Sequence, residues 1–295
     1  AQEVATIRPK EQRRSYFESY RAYPGLERDS LDFAGDVTYD DLPWWGNTHI
    51  KALAAGTAGG AGDTAAITWL FTPSAAVDDL KSATVEFDLD GPTLWSIPGC
   101  LGNELSLGFK KGEEVKFTSK MMTAKGATQI AAFTGTGPDR VVESALGTTA
   151  KVFTDGSAIG TTEDDVESAT FKLMNRFVHR DALDGTAVAK ELKRPQARGW
   201  ELEVSRYFAT DAELDAYIAK TERKVRIQTE GSVIAGTASN IKRRLRLDCY
   251  GIWDKHVWAK VDGMIYARMT LVPLYDATAA TDFSLEVVNA VASIT

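Results

Sequence analysis

Apolar and polar residues alternate in two similar stretches of the chain, residues 71–89 and residues 153–173. Both start with Phe-Thr, pass a pair of aspartates and reach the tripeptide Ser-Ala-Thr, at Ser82 and at Ser168, where an alternating run follows. A period of two places successive side chains on opposite sides of a strand, which predicts a half-buried β-strand at the end of each stretch. The repetition predicts two related β units within one chain.

The same alternation predicts most of the remaining elements. Strands are expected at residues 33–39, 66–71, 84–89, 104–109, 115–119, 152–154, 170–175, 200–207, 225–229, 241–250, 257–261, 265–271 and 283–289. Lys111-Gly112-Glu113 and Asp262-Gly263 fit tight turns between consecutive strands. Strands outnumber helices and do not alternate with them, so the fold class is predicted to be mainly β.

Two short helices are expected. Asp41 is placed to cap a helix that Pro43 helps to start. Thr210 and Glu213 fit a capping box that opens a second helix, which extends through Lys220. The apolar stripe of the second helix has the spacing needed to lie against a sheet and consists of Leu214, Tyr217 and Ile218.

The length of 295 residues suits a terminal arm and two units of ordinary size. We predict an N-terminal arm at residues 1–30, a first β unit at residues 31–150 and a second β unit at residues 151–295. The arm is charged and carries aromatic residues at near-helical spacing: Tyr16, Phe17, Tyr20 and Tyr23. These side chains need a surface to cover, either on the body of the same chain or on a neighbouring copy.

Composition narrows the functional classes. The net charge of −7 argues against attraction to nucleic acid or to anionic membranes, since such attraction needs an excess of Lys and Arg. No apolar run approaches the roughly 18 residues of a membrane span, and the N-terminus lacks the pattern of a secretory signal. We therefore expect a protein that is made and folded in a cytoplasm and has no membrane partner.

Neither a metal nor a cofactor site is predicted. Cys100 and Cys249 lack the paired spacing of zinc ligands and are expected to be buried thiols. His49, His179 and His256 are scattered, without the spacing that places two histidines on one metal ion. A Gly-x-Ser-x-Gly motif, the mark of many serine hydrolases, is missing from the sequence.

One stretch resembles an enzyme motif. Asp88-Leu89-Asp90-Gly91 follows a predicted strand and is similar to the nucleophile loop of haloacid-dehalogenase-type phosphatases, in which two carboxylates and magnesium act on a phosphate ester. However, Pro92 interrupts the stretch, the βαβ pattern of those enzymes is missing, and the second copy reads Met174-Asn175-Arg176. A strand that runs into an Asp-Gly turn explains the residues as well, and the chain is predicted not to be an enzyme.

The basic run Lys242-Arg243-Arg244-Leu245-Arg246 has a composition found in nucleic-acid-binding segments. Because Leu245 and Leu247 alternate with the charged residues, the run is more simply a strand with one charged face. On a strand, that face would be able to pair with carboxylates of an adjacent subunit.

A strand-rich, acidic chain without a catalytic cluster is typical of a structural subunit, and this chain resembles the major tail tube proteins of long-tailed (siphovirus-type) bacteriophages. The resemblance spans about residues 31 to 290 and rests on the order of five features: residues 33–43, the strand at residues 69–73, the two Ser-Ala-Thr strands, the strand at residues 200–204, and residues 246–251 with the hairpin after them. It implies a mainly β fold of duplicated tail-tube β-sandwich or β-barrel units with a short flanking helix.

The resemblance also implies a function. Members of that family join long strands side by side into rings around a channel, and the rings stack into the tube through which the genome is delivered to the host. The implied partners are further copies of the chain, a tape measure protein, a tail terminator and baseplate or tail-tip proteins. The expected location is the virion tail, after assembly in the host cytoplasm. DNA would pass the lumen without specific binding, because an acidic wall repels it.

A duplicated unit changes the expected ring. Rings of that family usually contain six copies of one unit, so a chain with two units would form an equivalent trimer with pseudo-sixfold symmetry, which we favour over a hexamer. Trp44 and Trp45 are adjacent in the chain, and adjacent indoles cannot easily both point inward. The candidate contacts between stacked rings are therefore Trp44 and Trp45, together with three aromatic residues of the N-terminal arm, Tyr16, Phe17 and Tyr20. The candidate lumen-facing acids are Glu86, Asp88, Glu201 and Glu203.

Two other functions remain as alternatives. The first is another phage structural β protein, such as a decoration or baseplate component, which would form closed oligomers that do not stack. The second is a magnesium-dependent phosphatase that uses Asp88 and Asp90.

Overall fold

The computed structural model describes residues 2–7, 23–74, 79–88, 93–134, 143–155, 162–163, 165–181, 189–207, 212–261 and 264–293. Most of these residues lie in strands of one large antiparallel sheet, and both α-helices are short. The fold is therefore mainly β, as the alternation of apolar and polar residues predicts.

The elements of the first half are β1 (Gln2–Ile7), β2 (Tyr23–Asp36), α1 (Leu42–His49), β3 (Thr57–Ala58), β4 (Ile67–Phe71), β5 (Ala83–Asp88), β6 (Leu94–Lys110), β7 (Lys116–Thr123) and β8 (Thr128–Ile130). Those of the second half are β9 (Lys151–Asp155), β10 (Thr162–Glu163), β11 (Val166–Met174), β12 (Val178–Arg180), β13 (Glu191–Lys193), β14 (Gly199–Tyr207), α2 (Ala212–Ala219), β15 (Glu222–Val233), β16 (Lys242–Val261), β17 (Met264–Pro273) and β18 (Phe283–Asn289). Each predicted strand overlaps an observed one.

The sheet folds into two layers that share β16. The front layer has the strand order β1–β2–β7–β6–β11–β14–β17–β16, and the back layer has the order β10–β9–β15–β16–β18–β4–β3. Residues Arg244–Cys249 of β16 pair with β18, and residues Gly251–Val261 pair with β17. One strand thus changes partner half-way along its length, and it carries the chain from one layer into the other.

The core lies between the two layers. Phe171 of the front layer has its ring centroid 5.4 Å from that of Phe283 in the back layer, and Trp200 lies 6.2 Å from the same ring. The Trp200 indole also donates a hydrogen bond to the Asp282 carboxylate (3.0 Å). Aromatic rings from both layers therefore fill one continuous core.

Helix α1 is fixed to the front layer through His49, whose ring is completely buried. The Nδ1–H group donates to the Trp45 carbonyl (3.1 Å), so Nε2 accepts from the Ser119 hydroxyl (3.0 Å). Gly102 gives the ring its space, since a Cβ atom there would lie 2.3 Å from it. The Asn175 amide donates to the carbonyls of His49 and Gly102, which ties the end of α1 to β6.

The helix starts differ in detail from the predictions. Asp41 is the N-cap residue of α1, but its carboxylate caps no backbone amide and instead accepts a hydrogen bond from the Thr38 hydroxyl (2.6 Å). Thr210 lies outside the described residues. The Glu213 carboxylate of α2 accepts hydrogen bonds from Trp253 (2.6 Å) and Arg223 (3.2 Å), so this helix is attached to β16 through a buried acid.

The predicted apolar stripe of α2 is wrong for Ile218, which is 69% exposed. Glu213 and Ala216 are buried instead, and Leu214 and Tyr217 are half-buried. The hydrogen bonds of Glu213 hold the helix with Glu213 facing the sheet. The spacing of apolar residues alone does not predict this orientation.

The two Ser-Ala-Thr strands have different surroundings. The first copy, β5, pairs with the beginning of β6. The second copy, β11, lies in the middle of the front layer between β6 and β14. Their shared alternation reflects a common strand geometry rather than an equivalent place in the sheet.

We expect a pH-dependent stability from His49. Burial lowers the pKa of His49 to about 4, whereas the imidazole of the unfolded chain has its ordinary pKa of 6.5. The unfolded state therefore binds the proton first, and the free energy of unfolding falls by about 3 kcal/mol as the pH drops from about 6.5 to 4.

Chemical denaturation across this pH range measures the effect. The fall in the free energy of unfolding should be smaller in His49→Gln, which lacks the titrating group. It should remain at the wild-type size in the control His179→Gln. Equal pH slopes for the wild-type protein and His49→Gln would contradict the assignment.

Candidate functional site

One face of the front layer is polar over most of its width; we call it the polar face. Alternate residues of each strand point into the core, among them Leu107, Phe171 and Leu202. The residues between them point outward and are aligned by the strand register, so that Thr170 of β11 lies beside Glu203 of β14. The polar face therefore presents a broad surface of short and charged side chains to solvent.

Carboxylates and cations occur on the polar face in nearly equal number. The carboxylates are Asp32, Asp36, Glu104, Glu201 and Glu203, and the cations are Lys110, Lys116, Lys120, Lys172, Lys255 and Arg268. The predicted acidic surface is thus compensated by bases that belong to the neighbouring strands.

The charges on the polar face are paired across strands. Lys116 lies 2.5 Å from the Asp36 carboxylate, and its hydrogen bond lowers the pKa of that carboxyl group. Lys172 lies 3.5 Å from the Glu104 carboxylate. Exposed pairs of this kind contribute little to stability, so their main effect is on the potential above the surface.

The polar face is concave between β2 and β11. It forms a shallow depression of about 430 Å³ there, whose walls include Asp32, Ala34, Ser106, Thr118 and Lys172.

The predicted lumen acids lie in two places. Glu201 and Glu203 lie on the polar face, and Glu203 is 3.3 Å from the Arg268 guanidinium. Glu86 and Asp88 lie on β5, away from that face. The Glu86 carboxylate accepts hydrogen bonds from the backbone amide and the hydroxyl of Thr134. Only Glu201 and Glu203 therefore lie on the polar face.

The outer face of the back layer carries a ladder of ion pairs. Asp248 accepts two hydrogen bonds from Arg226, at 2.6 and 2.9 Å, and lies 3.4 Å from Arg246. Glu286 lies 2.8 Å from Arg246 and 2.6 Å from Arg244. The basic run is a strand, as predicted, and Arg244 and Arg246 share one face of it, whereas Arg243 is buried on the other face, 3.4 Å from the Glu143 carboxylate. The carboxylates described here as pairing with the run belong to the same chain.

The two candidate tryptophans differ in exposure. Trp45 is buried, with its ring 4.7 Å from Phe117 and 5.5 Å from Phe33. Trp44 is half-buried, with its ring perpendicular to that of Trp45. The expectation that the pair is exposed is therefore wrong for Trp45. The other candidate ring contacts, Tyr16, Phe17 and Tyr20, lie outside the described residues.

Catalytic chemistry has little support in the described part of the chain. No group of three or more His, Cys, Asp or Glu residues there is placed to hold a metal ion. Asp88 ends β5, and Asp90 lies outside the described residues. Cys100 and Cys249 are buried, as predicted, and burial raises the pKa of the Cys249 thiol well above its usual value. Such a thiol is a poor nucleophile.

A family model described as "Phage tail tube protein" matches residues 7–246. This chain belongs to the phage tail tube protein family. No similar sequence was found among curated proteins. Membership gives the chain a structural role in a phage tail and implies self-assembly with other tail proteins. Neither α1 nor α2 is long and apolar enough to cross a membrane.

The lysines of the polar face, and Arg268 with them, are the residues of this surface that the sequence does not single out. Lys116 and Lys172 occupy outward positions of predicted strands, so the alternation places them on a surface, whereas Lys120 lies just beyond the strand predicted at residues 115–119. Their pairing with acids of other strands depends on the order of strands in the sheet, and this order is not contained in any local pattern.

We expect the ion-pair ladder to contribute to stability mainly through Asp248, because its carboxylate is 4% exposed and lies beside two arginines. Asp248→Asn keeps the shape but leaves Arg226 and Arg246 without that counter-charge, which should lower the free energy of unfolding by about 2–3 kcal/mol.

Glu230→Gln is the matched control. The pair of Glu230 with Lys242 is solvent-exposed, so its loss should change the free energy of unfolding by less than about 1 kcal/mol. Urea denaturation at neutral pH compares the variants, and equal effects would contradict the ladder's contribution.

Proposed function

We propose that this chain is the major tail tube subunit of a siphovirus-type phage, and that its stacked rings form the channel through which the genome is delivered. The family match supports a tail tube role. The observation that carries the channel proposal is the concave polar face of the front layer, which is backed by a continuous apolar core.

The polar face is suited to line the channel. Most of its side chains are short or charged, and among the residues whose side chains the structure describes it exposes no large apolar patch between β2 and β14. Compensated charge allows a polyanion to pass, because neither strong attraction nor strong repulsion acts on phosphates near such a surface. We therefore propose a channel wall with nearly balanced charge, in place of the acidic wall that the net charge of the chain suggests.

A trimer is the ring that we favour over a hexamer. The front layer of one chain contains eight strands, and strands from both halves of the chain contribute to it. Three copies would therefore supply a closed wall in which each chain contributes two strand blocks, with pseudo-sixfold symmetry. Trp44 and the arm residues Tyr16, Phe17 and Tyr20 are proposed as contacts between stacked rings.

The other proposed partners follow from this role. They are a tape measure protein within the tube, a tail terminator at one end and baseplate or tail-tip proteins at the other. The site of action would be the virion tail, after assembly in the host cytoplasm. We propose no enzymatic step and no cofactor.

Negative-stain electron microscopy of the purified protein at high concentration tests the proposal. Rings with a central channel, or hollow tubes, are expected. Native mass spectrometry of the rings should give three copies of the 32.1 kDa chain.

Other outcomes separate the alternatives. A mass of six copies would replace the trimer by a hexamer. Closed oligomers that never stack would favour a decoration or baseplate protein. Compact particles that form neither rings nor tubes, even with a tail-initiating complex, would overturn the proposed function.

Charge reversal tests the neutral wall. Glu201→Lys with Glu203→Lys changes two exposed residues of the polar face, and should create salt-sensitive binding of duplex DNA because the bases there lose their counter-charges. Fluorescence anisotropy with a labelled duplex measures this binding. The wild-type protein should not bind, and the control Glu222→Lys with Glu230→Lys, on β15, should bind less than the first variant. Tight wild-type binding would contradict the neutral wall.

A further inference from the structure

Four outward-facing residues form one row across the polar face; we call it the donor row. Lys110 of β6 lies opposite Ser168 of β11. Ser168 in turn lies opposite Ser205 of β14, and Ser205 lies opposite Arg268 of β17. Directly opposed residues of neighbouring strands point to the same side of a sheet. The donor row therefore places two hydroxyl groups between two cations.

The donor row differs in charge from other rows of the polar face. Those rows combine acids with bases, since Asp36 lies opposite Lys116 and Lys172 lies opposite Glu201. From β6 to β17 the donor row has two cations and no carboxylate. All four of its side chains are hydrogen-bond donors, and such a set of groups favours an anion as its ligand.

The two serines leave room for a ligand above the middle of the row. Both are half-buried, whereas the side chains of Lys110 and Arg268 are 56% and 61% exposed. Ser168 also lines a depression of about 330 Å³, together with Lys110 and Lys111. Neither serine hydroxyl has a hydrogen bond within the part of the chain that the structure describes. Both hydroxyls can therefore donate to a ligand.

Both cations also retain donors for a ligand. Lys110 lies 2.5 Å from the Glu113 carboxylate, and Nε of Arg268 lies 3.3 Å from the Glu203 carboxylate. The side chains of both pairs are about half exposed, and exposed ion pairs are weak. An ammonium group has three N–H donors and a guanidinium has five, so a single carboxylate saturates neither.

The shape of the row suits a phosphate group. Neighbouring strands lie about 4.8 Å apart, so a group above the two serines is one strand away from Lys110 and one strand away from Arg268. Phosphate oxygens point in tetrahedral directions. Different oxygens can therefore accept hydrogen bonds from the serines below and from the cations on either side, and both cations are common phosphate-binding residues.

We propose that the donor row binds a phosphate group, either of free phosphate or of the DNA backbone. Binding of free phosphate needs only the folded chain. Contact with DNA rests on the channel function proposed above, because the polar face meets DNA as a channel wall. The affinity for one phosphate group is low, since Glu113 and Glu203 compete for the cations. The wall as a whole thus keeps its nearly balanced charge.

The first test is a phosphorus NMR titration of the full chain with inorganic phosphate at constant ionic strength. Ser168→Ala with Ser205→Ala removes both hydroxyls without a change of charge, and should weaken binding by about fivefold or more. The control Ser106→Ala with Thr118→Ala removes two hydroxyls from another row of the same face, and should bind as the wild-type protein does. Equal affinities of the two double variants would overturn the site.

Glu203→Gln gives a second test, whose expected result a loss of folding cannot imitate. The substitution removes the carboxylate beside Arg268, and should strengthen phosphate binding by about twofold to fivefold. The control Glu222→Gln removes the same charge from β15, and should leave the affinity close to the wild-type value. An unchanged affinity in Glu203→Gln would overturn the proposal, as would a wild-type protein that binds no phosphate at millimolar concentration.

Dimethyl phosphate distinguishes the two sources of the phosphate group. It is a diester with one negative charge, as is each phosphate of the DNA backbone. Binding of both probes, each weakened by the serine substitutions, supports contact with DNA. Binding of inorganic phosphate alone supports the site and overturns its contact with DNA. A protein that binds phosphate but forms neither rings nor tubes would overturn the channel function and leave the phosphate site intact.

Discussion

Both layers depend on the hydrogen bonds of β16, because this strand pairs with β15 and β18 at its beginning and with β17 at its end. Gly251 lies at the change of partner, and a Cβ atom there would lie 2.1 Å from the Val272 carbonyl oxygen. The close approach of two backbones at this point allows one strand to leave the back layer and enter the front layer. The core between the layers is held closed by this covalent and hydrogen-bonded connection.

Alternation of apolar and polar residues predicted where the strands lie, because Leu202 and Val204 must face the core whichever strands flank them. It did not predict that residues 241–250 and 257–261 form a single strand, since the extra residue Asp254 shifts the alternation. The alternation also did not predict which strands pair with each other. β5 and β11 have similar sequences, but the choice of partner depends on contacts between distant segments.

On the polar face, too, the sequence predicts which residues point outward but not which charges lie beside each other. The outward positions of Glu201 and Glu203 follow from the period of two, whereas their compensation by Lys172 and Arg268 depends on strand order. The different exposure of Trp44 and Trp45 has a geometric cause. Successive residues of an α-helix point about 100° apart, so Trp45 turns into the core while Trp44 stays at its rim.

The strands β6 and β16 have a consequence for how the chain can change over generations. Each has one extra residue where its pairing is interrupted, Asn103 in β6 and Asp254 in β16. Because the two strands are encoded separately, a substitution in one is not copied into the other. Leu107 of β6 is buried beside β11, whereas Trp258 of β16 is 44% exposed. The two halves of the chain can therefore acquire different surfaces although these two strands bend in the same way.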